Sequence, residues 1–169
     1  MMSKVTTKML IEENEIYDEF IEIPVMYEAK EYIIKAYPYV SPVKLTNIVD
    51  QLSAFYQNAN QEKVNVLEEE KSDLLAYFLV KNSTDVTFTK SKKAKTVYQE
   101  FKQLLHSRVF KAIVKTFPEQ TFRELHERIA EVNNLSGLLE AYVNAAKKVN
   151  EEFDGEGVKK LKEAKKNRK

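Results

Sequence analysis

A mainly α, single-domain bundle of about six helices is the fold class this chain predicts, and three observations predict it. Apolar residues recur at helical spacing through most of its 169 residues. Turn formers are scarce, with three glycines and four prolines, so the turns of a sandwich or barrel are hard to place. Charged residues make up 31% and hydrophobic ones 43%, enough for one core that hides ~70% of the unfolded surface. The domain expected is residues 1–157, with 1–8 frayed, followed by a flexible basic tail at 158–169.

Taken in order, Phe20 to Val25 reads as a short strand, restricted to an edge by Pro24. Residues 26–37 fit two elements. Met26, Ala29, Ile33 and Ala36 share a helical face, whereas Tyr32, Ile33, Ile34 and Tyr37 favour a strand that would close a short N-terminal β-hairpin. Helix is the reading adopted, with the hairpin as its alternative. Ser41-Pro42 is the clearest helix start: Ser41 suits an N-cap, and Pro42 at the first helical position forfeits no hydrogen bond. Leu45, Ile48, Val49, Leu52, Phe55, Tyr56 and Ala59 then recur on one face, and Val64, Leu67, Leu74, Leu75, Phe78 and Leu79 resume the pattern. Glu68 to Asp73 is expected to be its solvated side, and Asn82 to Asp85 its end. Val97, Tyr98, Phe101, Leu104, Leu105, Val109, Ala112 and Ile113 predict one long central helix over 92–116, ~37 Å in length. Pro118 interrupts it. A shorter helix carries Phe122, Leu125, Ile129 and Val132, Asn133-Asn134 breaks it, and Ser136 caps a last helix bearing Leu138, Leu139, Tyr142, Val143, Ala146 and Val149. Asp154 to Gly157 should detach the tail.

Residue inventory excludes several chemistries. The chain has no cysteine, which removes disulfides, thiolate metal sites and a Cys nucleophile. His126-Glu127 begins like a zinc-binding helix, but Ala130 stands where the second histidine is required. Ser107 adjoins His106, yet helical neighbours point apart and form no nucleophile–base pair. With glycine only at 137, 155 and 157, no phosphate-cradling loop exists. No catalytic, cofactor-binding or metal-ligating residue is therefore predicted, and no cofactor.

Charge and aromatics point to binding instead. Net charge is +1, but residues 12–31 are acidic and 158–169 are basic. Lys90, Lys92, Lys93 and Lys95, with Lys159, Lys160, Lys162, Lys165 and Lys166, are candidate contacts for an anionic partner. Tyr37, Tyr39, Tyr56, Tyr77 and Tyr98 keep a polar tip at the border of an apolar face, as residues at protein interfaces do. No apolar run approaches the ~18 residues of a membrane span, and no signal peptide is legible. The expectation is a cytoplasmic, non-enzymatic binding protein with no membrane contact, its oligomeric state unread.

The segment Ala36-Tyr37-Pro38-Tyr39-Val40-Ser41-Pro42-Val43-Lys44-Leu45, followed by Ile48-Val49-Asp50-Gln51-Leu52 and Tyr77-Phe78-Leu79-Val80-Lys81-Asn82-Ser83-Thr84-Asp85, resembles the small tail-assembly chaperones of long-tailed bacteriophages. The likeness spans roughly residues 15–90. It implies a host-cytoplasmic protein that binds the tape-measure protein, keeps its helices soluble and helps tail-tube subunits polymerise around it. Such genes often shift reading frame on A-rich runs, and Lys165-Lys166-Asn167 is compatible with one. The competing class is a small nucleic-acid-binding regulator using segments 90–95 and 158–169.

Overall fold

The computed structural model describes residues 3–166, with only the backbone described for residue 146 and residues 148–166. It is mainly α: six helices and a two-stranded antiparallel hairpin. Its contacts divide the chain into two units, Met1–Arg128 and Ile129–Lys169.

The first unit begins with a short helix α1 (Thr7–Glu12), capped by the Thr6 hydroxyl, and a 3₁₀ turn at Glu13–Asp18. Strands β1 (Ile21–Tyr27) and β2 (Lys30–Ala36) follow, paired from Ile21 opposite Ala36 to Tyr27 opposite Lys30. The helical reading of 26–37 is thus corrected to the hairpin. Glu28 and Ala29, which looked like helix formers, are the two turn residues, at φ 49° and 60°. Positive φ at both central positions is the turn whose twist suits a two-residue hairpin loop, and it costs ~1–2 kcal/mol per non-glycine residue. The hairpin is held at its far end. The Tyr37 amide donates to the Ser83 carbonyl at 2.8 Å and the Lys35 amide to the Asp85 carboxylate at 2.8 Å, while Ala36 is wholly buried.

Helix α2 (Pro42–Gln61) starts where the Ser41 side chain accepts the Lys44 amide at 3.3 Å, with Pro42 in the first turn. It buries Leu45, Ile48, Val49, Leu52, Phe55 and Ala59, the face expected. Ser41→Ala should lower stability by about 1 kcal/mol and the melting temperature by ~2–4 °C, read by thermal denaturation. A Ser41→Asp chain, which restores a cap, should recover most of the loss.

The helical pattern does not resume at Val64. Lys63 adopts φ 56°, and regular structure returns only with a 3₁₀ turn at Glu68–Glu70 leading into α3 (Lys71–Ser83). Nor is the acidic run all solvated, because Glu70 turns inward and is buried. Seven consecutive residues of α3, Leu74 to Val80, are buried, so α3 is covered on every side and is the central element.

The predicted strut over 92–116 is two helices, α4 (Ala94–Leu104) and α5 (Arg108–Val114). Ser107 separates them by capping α5, accepting the Phe110 amide at 3.2 Å. Pro118 precedes α6 (Glu119–Lys166), which is continuous through Asn133-Asn134, Ser136 and Gly155 to Gly157. Two asparagines cost only a few tenths of a kcal/mol each in a helix, too little to break one so long. Its first turns belong to the first unit, where Leu125 is fully buried and the Thr121 hydroxyl donates to the Pro38 carbonyl at 2.8 Å.

Candidate functional site

The first unit carries an open cleft of about 720 Å³. One wall is α2, through Gln51, Ala54, Phe55 and Asn58. Phe78 and Lys81 of α3 and Val97 of α4 extend it, and the extended segment Val86–Lys92 forms a strap along its edge. Carbon lines most of it. Phe55 and Phe78 meet at 5.8 Å between ring centroids, and Phe88 from the strap packs edge-on against Tyr77 at 5.6 Å. Gln51, Asn58, Lys81, Lys90 and Lys92, together with Thr87, Thr89 and Ser91 of the strap, supply its polar positions.

Long-range side-chain bonds fix the strap, because an irregular segment has no ladder of its own to satisfy its backbone. Lys81 Nζ donates to the Thr89 carbonyl at 3.1 Å, and Asn58 Nδ2 to the Lys92 carbonyl at 2.9 Å. Glu100 accepts the Thr89 amide at 2.8 Å through Oε2 and the Tyr77 hydroxyl at 2.6 Å through Oε1. Burial, then the Glu100 bond, pushes the Tyr77 hydroxyl well above the usual tyrosine range, so it stays a donor. Burial pushes the Lys81 ammonium down. Glu62 Oε1 and Oε2 accept the Ala94 and Lys95 amides, each at 3.0 Å, which caps α4 from the end of α2.

A second polar cluster braces the fold beside Glu70. The Tyr98 hydroxyl donates to this carboxylate, and Lys102 pairs with it. Lys102, then Tyr98, holds the Glu70 carboxyl below its ordinary value. Burial and then Glu70 push the Tyr98 hydroxyl up to about 12.

These contacts separate the five candidate tyrosines. Tyr77 is fully enclosed and Tyr98 is half-buried on Glu70. Tyr56 is half-buried against Phe55, and Tyr37 packs on Phe20 at 5.8 Å with Lys44 above its ring. Tyr39 is exposed in a small recess with Phe20 and Pro118. None of the five lines the cleft. Of the lysine candidates, Lys90 and Lys92 do line it, and exposed Lys93 and Lys95 start α4. The side chains of Lys159, Lys160, Lys162, Lys165 and Lys166 lie outside the described residues. His106 and His126 are both exposed, His126 Nδ1 lying 2.7 Å from the Phe122 carbonyl.

The lining of α2 was missed in the sequence. Gln51, Ala54 and Asn58 are spaced 3 and 4 apart beside the apolar face, a stripe of small and amide residues that reads as surface until the strap is seen opposite it.

The molecule is thus a mainly α protein with an N-terminal hairpin and an apolar, amide-edged cleft. The chain belongs to the YomO family, whose model matches residues 7–168. No curated protein and no solved structure matches it.

Proposed function

We propose that this YomO-family protein is a non-enzymatic assembly factor that receives an amphipathic helical segment of a partner protein in the cleft beside the strap. The open apolar lining of that cleft carries the reading. Ala54 of α2 with half-buried Val86 and Phe88 of the strap offer an apolar surface, floored by the buried rings of Phe55 and Phe78, for the anchors that about two turns of helix present, and Lys90 and Lys92 favour acidic residues beside those anchors. The likeness to tail-assembly chaperones adds the partner class: a long, helix-rich tape-measure protein kept soluble in the host cytoplasm before tube subunits close around it. No described helix is long and apolar enough to cross a membrane, which agrees with such a role.

Ala54 provides the test, being exposed on α2 within the cleft. Arginine there fills the cleft without entering the core, so stability should stay within ~0.5 kcal/mol. Co-expressed with a long helical tape-measure protein, the natural chain should hold that protein in the soluble fraction and co-purify with it. The Ala54→Arg chain should bind it at least ~10-fold more weakly, a difference of ~1.4 kcal/mol. Equal binding by both chains would remove the cleft from the account. Tight association with nucleic acid in place of the helical protein would favour the competing regulator.

A further inference from the structure

Beyond Arg128 the chain forms a unit of its own, and the described residues of that unit lie in α6. A single helix has no second element in its own unit to cover an apolar face. Val132, Leu135, Leu139, Tyr142, Ala146 and Val149 follow one another at spacings of 3, 4, 3, 4 and 3. On an unbroken helix these are successive a and d positions of a heptad repeat. The face is open: Leu135 is 60%, Leu139 64% and Tyr142 75% exposed, with Leu138 at 69% in a flanking g position. Asn133, Asn134, Gly137, Glu140 and Asn144 occupy the opposite side.

We propose that this seam pairs with the same seam of a second copy of the chain, joining protomers through α6. Two observations support a second copy as the partner. First, between Val132 and Asn150 every a, d, e and g position is uncharged, the e and g positions being Ser136, Leu138, Val143, Ala145 and Asn150. Charges at e and g set partner choice through interhelical salt bridges; here no like charge beside the seam opposes self-pairing, and an identical helix supplies the matching repeat. Second, Leu135, Leu138, Leu139, Tyr142 and Val143 together expose on the order of 600 Å² per copy, so a pair can remove up to on the order of 1,200 Å² from water, the lower bound for a stable interface. Leu138 and Val143 widen the seam beyond a and d, which suits two or more copies.

Sedimentation equilibrium of the full chain tests this, with circular dichroism as the check on folding. The natural chain should sediment at a multiple of 19.7 kDa. Leu135→Asp with Leu139→Asp should return it to a single chain with helix content retained, and Tyr142→Glu should weaken assembly at least ~10-fold on its own. Glu140→Lys, on the opposite side, should leave the mass unchanged. A natural chain that stays single up to about 100 μM, or an assembly indifferent to both seam variants, overturns the proposal. Ala54→Arg should not alter the mass, so the cleft and the seam can fail independently.

Discussion

Replacing Tyr77 with alanine should cost about 3–5 kcal/mol, the usual loss for a large buried aromatic, and leave little of the ~5–15 kcal/mol that holds a domain folded. Tyr77 is wholly enclosed at the centre of α3, and its ring meets Phe78, Phe88 and Phe101 edge-on within 5.9 Å. Its hydroxyl also holds Glu100, whose other oxygen takes the Thr89 amide of the strap. Tyr77→Ala therefore opens a cavity and loosens the cleft wall together. Tyr77→Phe keeps the ring and removes only the donor, for about 1–2 kcal/mol. Urea denaturation should rank natural, Phe and Ala chains in that order, and equal midpoints for Phe and Ala would show that the hydroxyl, not the ring, carries the effect.

Glu70→Ala should cost about 2–3 kcal/mol. Breaking a buried ion pair usually costs ~3–5 kcal/mol, but Lys102 is half-exposed and regains water, which places this pair lower. The loss carries a pH signature. The folded carboxyl lies below its ordinary 4.5 because Lys102 and Tyr98 stabilise the ionised form. Unfolded chains therefore take up this proton first as pH falls, and the stabilisation, complete above about 4.5, is lost as pH drops through the lower folded value. Denaturation midpoints of the natural chain should fall in that window, and those of Glu70→Gln should fall less. Parallel curves for the two chains would assign the acid sensitivity to other carboxylates.

These two residues also show where the sequence was readable. Tyr77 sits in an apolar run whose helical fate was plain, although placing it at an interface edge missed that α3 is covered all round. A helix buried on every side loses the polar stripe by which orientation is read. Glu70 stands in a run of like residues, and nothing local distinguishes the one that meets Tyr98 and Lys102, respectively 28 and 32 positions on. Ser41-Pro42 was legible because a cap acts within three residues. Ser107 has the same chemistry and was passed over because the apolar spacing ran through it. Residues 28 and 29 misled for a different reason: Glu and Ala favour helix, and paired strands on both sides override that preference. The cleft was the least legible feature, since it joins α2 to a strap some thirty residues later through bonds such as Asn58 to Lys92.

The measurement closest to the central claim is a titration of the purified chain with amphipathic helical segments of a tape-measure protein, at about 0.05 and about 0.5 M salt. A cleft lined by phenyl rings predicts that the natural chain binds at both and that affinity changes less than about tenfold, since only the lysines at its edge are screened. Ala54→Arg should be weaker at both. Absence of binding to any segment, with nucleic-acid affinity that falls about a thousandfold or more over the same range, would contradict the account.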